Sequence, residues 1–172
     1  MSKTVIRNGV FETNSSSTHS ICISKSPVDV KGKTINFHLG EYGWEYDCVD
    51  AADYLYTALV LWDGYNGNNY IDKLKEILDK HGIHYTMQDP KTTKWYGIDH
   101  SEELIDFIEK IMDDEDLLLR CIFGDFDVYT GNDNEHYDGY EDTVIKAEST
   151  LMYGVPNPYH DETKYDYYYK VN

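Results

Sequence analysis

The chain reads as an α+β protein, a single domain with a mainly antiparallel sheet and three or four helices. Three observations carry that reading. Segments of period two occupy the first forty residues, apolar stripes at three- and four-residue spacing follow between 49 and 112, and no repeat or Pro/Gly-rich linker divides the chain;. At 172 residues one core can bury roughly two-thirds of the unfolded surface. Residues 1–172 are therefore read as one domain, with the Tyr- and Asp-rich 156–172 as a peripheral tail.

Taken in order, Thr4–Ile6 and Val10–Phe11 are β-prone, with the turn signal Asn8-Gly9 between them;. Ser20–Ser24 alternates Ile21 and Ile23 with Cys22, as a half-buried strand does, and Ser26-Pro27 ends it. After the turn at Lys31-Gly32-Lys33, Thr34–Leu39 alternates again, so the opening predicts a β-meander with the Ser-rich stretch at one end;. From Asp47 the period changes. Val49, Ala52, Leu55, Leu59 and Trp62 form a helical stripe, Asp47 or Asp50 can cap it, and Asp63-Gly64 stops it;. A second stripe, Ile71, Leu74, Ile77 and Leu78, closes at His81-Gly82, where Gly82 suits a left-handed C-cap and His81 the negative end of the helix dipole;. Ile83–Met87 is a candidate strand. Asp99 with Glu102 resembles a capping box ahead of Leu104, Ile105, Ile108, Ile111 and Met112;. The acidic run Asp113–Asp116 favours a helix for Leu117–Phe123, Phe126–Thr130 alternates as a strand, and Val144–Met152 fits either state;.

Charge is the strongest global signal. The net charge is −17, with 12 acids against 10 bases in residues 1–98 and 20 against 5 in 99–172, so the second half carries −15. Such a field repels nucleic acid and anionic membrane and attracts basic surfaces. It also keeps a protein soluble, which is the plainer explanation. Tyrosine outnumbers phenylalanine 17 to 5, and a tyrosine packs its ring while keeping its hydroxyl wet. The three cysteines, Cys22, Cys48 and Cys121, form no C-x-x-C pair;. With no apolar leader and no run of the ~20 apolar residues that span a bilayer, a reduced cytoplasmic setting is expected.

Three constellations could carry chemistry. The first is Asn14, Ser15, Ser16, Ser17, Thr18 and His19, hydroxyls and amides able to cradle a phosphate beside an imidazole that titrates near neutrality. Ser16 or Ser17 activated by His19 would be a nucleophile, although no third group or oxyanion hole shows in the sequence. The same residue types also satisfy the backbone of an ordinary turn. The second comprises Asp125 and Asp127, which alternate along a strand and offer hard oxygen ligands to Mg²⁺ or Ca²⁺, although 132–143 has no register of the calcium loop;. No other cofactor is expected, and His81-x-x-His84 straddles a helix end. The third interleaves carboxylates with tyrosines along Asp125, Asp127, Tyr129, Asp133, Glu135, Tyr137, Asp138, Tyr140, Glu141 and Asp142, and again through Tyr159–Tyr169. Spaced carboxylates imitate backbone phosphates, and tyrosines supply rigid contact area.

RNGVFETNSSSTHS, Arg7–Ser20, resembles the opening of a loose group of small uncharacterised proteins of bacteriophages and bacteria, and Tyr129–Asn134 resembles a second motif of that group. The resemblance implies a phage or mobile-element origin and carries no catalytic residue. The expected function is non-enzymatic: an acidic, Tyr-rich inhibitor that occupies a basic, nucleic-acid-binding surface of a host protein in the host cytoplasm. The alternative is a small enzyme or sensor holding a nucleotide or phosphate ligand at Asn14–His19, with a divalent metal at Asp125 and Asp127. A virion or accessory structural protein is a third reading.

Overall fold

The computed structural model describes residues 17–43, 47–124, 126–132, 151–152, 155–156 and 165–170. Along the chain the elements are β1 (Ser17–Ser24), β2 (Thr34–Phe37), β3 (Glu41–Tyr42), β4 (Asp47–Val49), α1 (Ala51–Trp62), α2 (Tyr70–Lys80), β5 (His84–Met87), β6 (Gly97–Ile98), α3 (Ile105–Asp113), α4 (Glu115–Phe123), β7 (Phe126–Asn132), β8 (Leu151–Met152), β9 (Val155–Pro156) and β10 (Tyr165–Lys170). The class is α+β.

β1 is not half-buried. Ile21, Cys22, Ile23 and Ser24 are all buried, and the strand lies inside a four-stranded antiparallel sheet of order β10-β1-β7-β4. Among the described residues the expected meander does not form, because β1 takes both neighbours from beyond residue 125; Thr4–Ile6 and Val10–Phe11 lie outside them. Period two announces a strand but says nothing about its partner. β2 pairs with β5, and β3 with β6, both in parallel, which departs from the mainly antiparallel sheet expected. A parallel pair needs a long crossover, and α1 and α2, which pack on β2 and β5 respectively, provide it. The C-terminal stretch contributes β10, an edge strand that pairs with β1 from Ser24↔Tyr165 to His19↔Lys170.

The helices follow their local signals except at the starts of α1 and α3. Asp47–Val49, read as the beginning of a helix, is β4, and Asp50 caps α1 by accepting from the N–H groups of Ala52 and Asp53 at 3.0 and 3.1 Å. α1 is buried all round from Tyr54 to Leu59, as befits a helix that touches α2, α3, α4 and the sheet;. α2 ends as read, with Gly82 at φ +64 and the Ile83 N–H donating to the Leu78 carbonyl at 3.0 Å;. The other start that differs is that of α3. Asp99 does not cap it; the chain passes through a left-handed His100 (φ 52) and a 3-10 turn, Ser101–Leu104, before α3 begins. The Asp99 N–H instead donates to the Tyr42 carbonyl at 2.9 Å, prolonging the β3–β6 pair. Asp114 caps α4 through the Leu117 N–H at 3.0 Å.

Apolar side chains from β1 and all four helices, including Ile23, Leu55, Leu59, Leu74, Leu78, Ile108, Ile111 and Leu118, form one contiguous core. Arg120 of α4 enters its edge, with 7% of its surface exposed. It donates to Asp116 at 2.8 Å, to the Ser24 carbonyl at 2.8 Å and to Asp166 of β10 at 3.0 Å. Thus one guanidinium joins a helix, the central strand and the C-terminal strand. Among the described residues no helix is long and apolar enough to cross a membrane.

Removing that guanidinium strands a half-buried carboxylate and a buried carbonyl. Arg120→Ala is expected to cost about 3 kcal/mol in urea unfolding, and Asp166→Asn about 1 kcal/mol. A midpoint unchanged in both variants would show that the cluster does not hold β10.

Candidate functional site

His19, the one member of the Ser-rich stretch whose side chain is described, points inward and is 1% exposed. It shares a face of β1 with Ile21 and Ile23, the face that meets α1. Its Nε2 lies 3.0 Å from the Asp99 carbonyl oxygen and its Nδ1 3.0 Å from the Tyr54 hydroxyl. A carbonyl only accepts, so Nε2 carries the proton, and in the neutral imidazole Nδ1 accepts from Tyr54. Both nitrogens are thereby engaged in bonds to the protein, which ties β1 to α1 and to the end of β6. Gly43 closes the same node. At φ +98, a Cβ there would stand 2.8 Å from His19 Cε1 and 3.0 Å from Asp99 Cβ, so the backbone can approach only as glycine.

Tyr54 is fully buried with Tyr42 beside it, ring centroids 5.3 Å apart. Burial first, and the neighbouring Tyr42 phenol second, push its hydroxyl well above the ordinary tyrosine range. This keeps Tyr54 a donor at every physiological pH. Nothing in the sequence links position 19 to 54 or 99; the only signal was an isolated histidine on an apolar strand face.

The other sequence-derived candidates separate. Asn14, Ser15, Ser16, Asp125, Asp133, Glu135, Tyr137, Asp138, Tyr140, Glu141 and Asp142 lie outside the described residues, and Ser17 and Thr18 are described only as backbone in β1. Asp127 and Tyr129 are on β7, at register positions opposite Cys22 and Ser20, while Tyr167 and Tyr169 of β10 flank the same two residues from the other side. The two Tyr/acid segments, far apart in sequence, are therefore neighbours of one central strand. His81 and His84 do not converge: His81 bonds to Glu115, and His84 is exposed on β5. Among the described residues no group of three or more His, Cys, Asp or Glu could hold a metal ion. Cys22 and Cys121 are buried, and burial pushes the Cys121 thiol far up, out of reach of nucleophilic chemistry;.

The acidic run at the α3–α4 junction is occupied by structural work. Asp113 pairs with Lys73 at 3.0 Å, Asp114 caps α4, Glu115 meets Lys80 at 2.8 Å as well as His81, and Asp116 holds Arg120. The Lys80 ammonium, then His81, keep the Glu115 carboxyl below its ordinary value. By contrast Asp106 and Glu109, on the outward side of α3, are exposed and in no ion pair among the described residues.

No family model, curated protein or solved structure matches this chain.

Tyr54→Phe leaves the His19 acceptor without its donor in a dry site and is expected to cost about 1–3 kcal/mol in chemical unfolding. The raised Tyr54 pKa also sets a sign. The stabilisation from its neutral hydroxyl is complete below the unfolded value of 10.0 and is lost as pH rises beyond it;. Unfolding curves between neutrality and strongly alkaline pH should therefore fall more steeply for the native chain than for Tyr54→Phe; parallel curves would contradict the node.

Proposed function

We propose that the protein is an acidic, Tyr-rich interaction protein that occupies a basic surface of another protein, of the kind that binds nucleic acid. The observation that carries this reading is the charge distribution, −17 overall with −15 in residues 99–172. A surface of that sign draws basic partners from beyond contact distance and repels the nucleic acid they would otherwise hold. Two further features support it. β7, with Asp127 and Tyr129, and β10, with Tyr165, Tyr167 and Tyr169, pair with the same strand, which brings the two Tyr/acid segments side by side in one sheet. His19, the residue on which acid-base or nucleophilic chemistry at the Ser-rich stretch would depend, has both nitrogens bonded within the core. The inhibitory role against a phage host rests on the resemblance at Arg7–Ser20 and on the charge.

Affinity purification from bacterial lysate with the whole chain as bait, followed by mass spectrometry, tests the reading. The expected partner is a basic nucleic-acid-binding protein that is released as salt rises over a few tenths molar and is displaced by duplex DNA. Capture that ignores both salt and DNA would overturn it.

A further inference from the structure

We propose that Asn66–Gly67, in the connection between α1 and α2, is a site of backbone deamidation that the folded turn holds unreactive and that opening of the turn activates. The chain contains two Asn-Gly pairs, Asn8–Gly9 and Asn66–Gly67. Asparagine is a thermolabile residue, and it is at its most reactive before glycine, where no Cβ hinders the following nitrogen. Asn66 and Gly67 are both exposed, so water reaches the carboxamide and the peptide bond beside it. The Gly67 backbone nitrogen, giving up its proton, attacks Asn66 Cγ; a new N–C bond forms, the Cγ–Nδ2 bond breaks and ammonia leaves. Water then opens the five-membered imide. Attack at Cγ gives aspartate, and attack at the backbone carbonyl carbon gives isoaspartate, whose main chain runs through Cβ and Cγ. The net change is carboxamide and water to carboxylate and ammonium, with no oxidant or reductant.

The folded turn opposes the first step in two ways. Asn66 sits in the left-handed region at φ 52 and ψ 21, a conformation that asparagine tolerates. At that ψ the Gly67 nitrogen lies nearly anti to Asn66 Cβ, whereas ring closure needs the two eclipsed. The Gly67 N–H is also occupied, donating to the Gly64 carbonyl at 3.2 Å. Around this pair the Gly64 N–H donates to the Asn68 carbonyl at 2.7 Å, the Asn68 N–H donates to the Tyr65 carbonyl at 2.9 Å, and the Tyr65 ring meets Trp62 edge-on at 4.7 Å. Reaction therefore has to wait for a local opening that breaks these contacts. Isoaspartate lengthens the main chain by one carbon, which the same set of bonds cannot span. Each opening that reacts is thus a one-way step.

The test follows the whole chain by peptide mapping and mass spectrometry in warm, mildly alkaline buffer, native and in guanidinium chloride. Position 66 is expected to convert about tenfold more slowly in the native chain. Gly64→Val supplies a selective arm. Gly64 has φ +85, and a Cβ there meets nothing within 4 Å, so a β-branched residue opens the turn through its backbone and without a clash. In the folded variant position 66 should convert several-fold faster than in the native chain while position 8 keeps its rate, with circular dichroism checking the fold. Failure of position 66 to convert in guanidinium chloride, where position 8 does, overturns the site. Equal rates at position 66 in native and unfolded chains overturn its protection, as does an unchanged rate in folded Gly64→Val. Should that variant not fold, the comparison of native with unfolded chain decides alone.

Discussion

With Ile21, Cys22, Ile23 and Ser24 all buried, β1 needs hydrogen-bond partners along both edges, because an unpaired backbone N–H or C=O in a dry interior costs as much as a lost hydrogen bond. That requirement organises the described fold. It draws β7 to one edge and β10 to the other, and with them the two acidic, tyrosine-bearing segments of the second half. It also places Ile21 and Ile23 in the core formed with the helices. The polar groups at the strand's ends are satisfied by specific partners: His19 by Tyr54 and Asp99, and the Ser24 carbonyl by Arg120.

The acidity of the chain divides into two populations with different consequences. The run Asp113–Asp116, its densest block of carboxylates, is consumed in pairing and capping along the α2–α4 side. Most of those pairs are exposed, so each contributes little to stability; Lys73–Asp113 and Lys80–Glu115 link α2 to the α3–α4 junction. Carboxylates such as Asp106 and Glu109 have no such duty among the described residues and remain available to a partner. Charge counted along a sequence does not distinguish these populations, because pairing depends on which helices pack together.

Local elements were largely legible. The stripes of α1, α2 and α3 and the Gly82 turn lie where periodicity and turn chemistry put them, since both depend on residues within a few positions of each other;. Asp50, one of the two residues offered as a cap, caps α1, and Asp114, within the acidic run that favoured a helix, caps α4. The Asp99 box misled because two local options competed, and the pairing of Tyr42 with the Asp99 backbone prevailed. At the candidate site, His19 was visible as a residue and invisible as a node; its partners come from positions 54 and 99, and a sequence pattern cannot join them.

The sequence by itself determined the class, the positions of the helices and of β1, β2, β5 and β7, and a strongly acidic electrostatic character. These follow from periodicity, turn residues and a charge count, all properties of neighbouring residues or of simple sums. The tertiary structure decided which strands pair and in which direction. It also decided that His19 belongs to the core and that the densest acidic run is largely engaged within the protein. Each of these turns on contacts across tens of residues, where burial of apolar surface and satisfaction of backbone polar groups outweigh local preference.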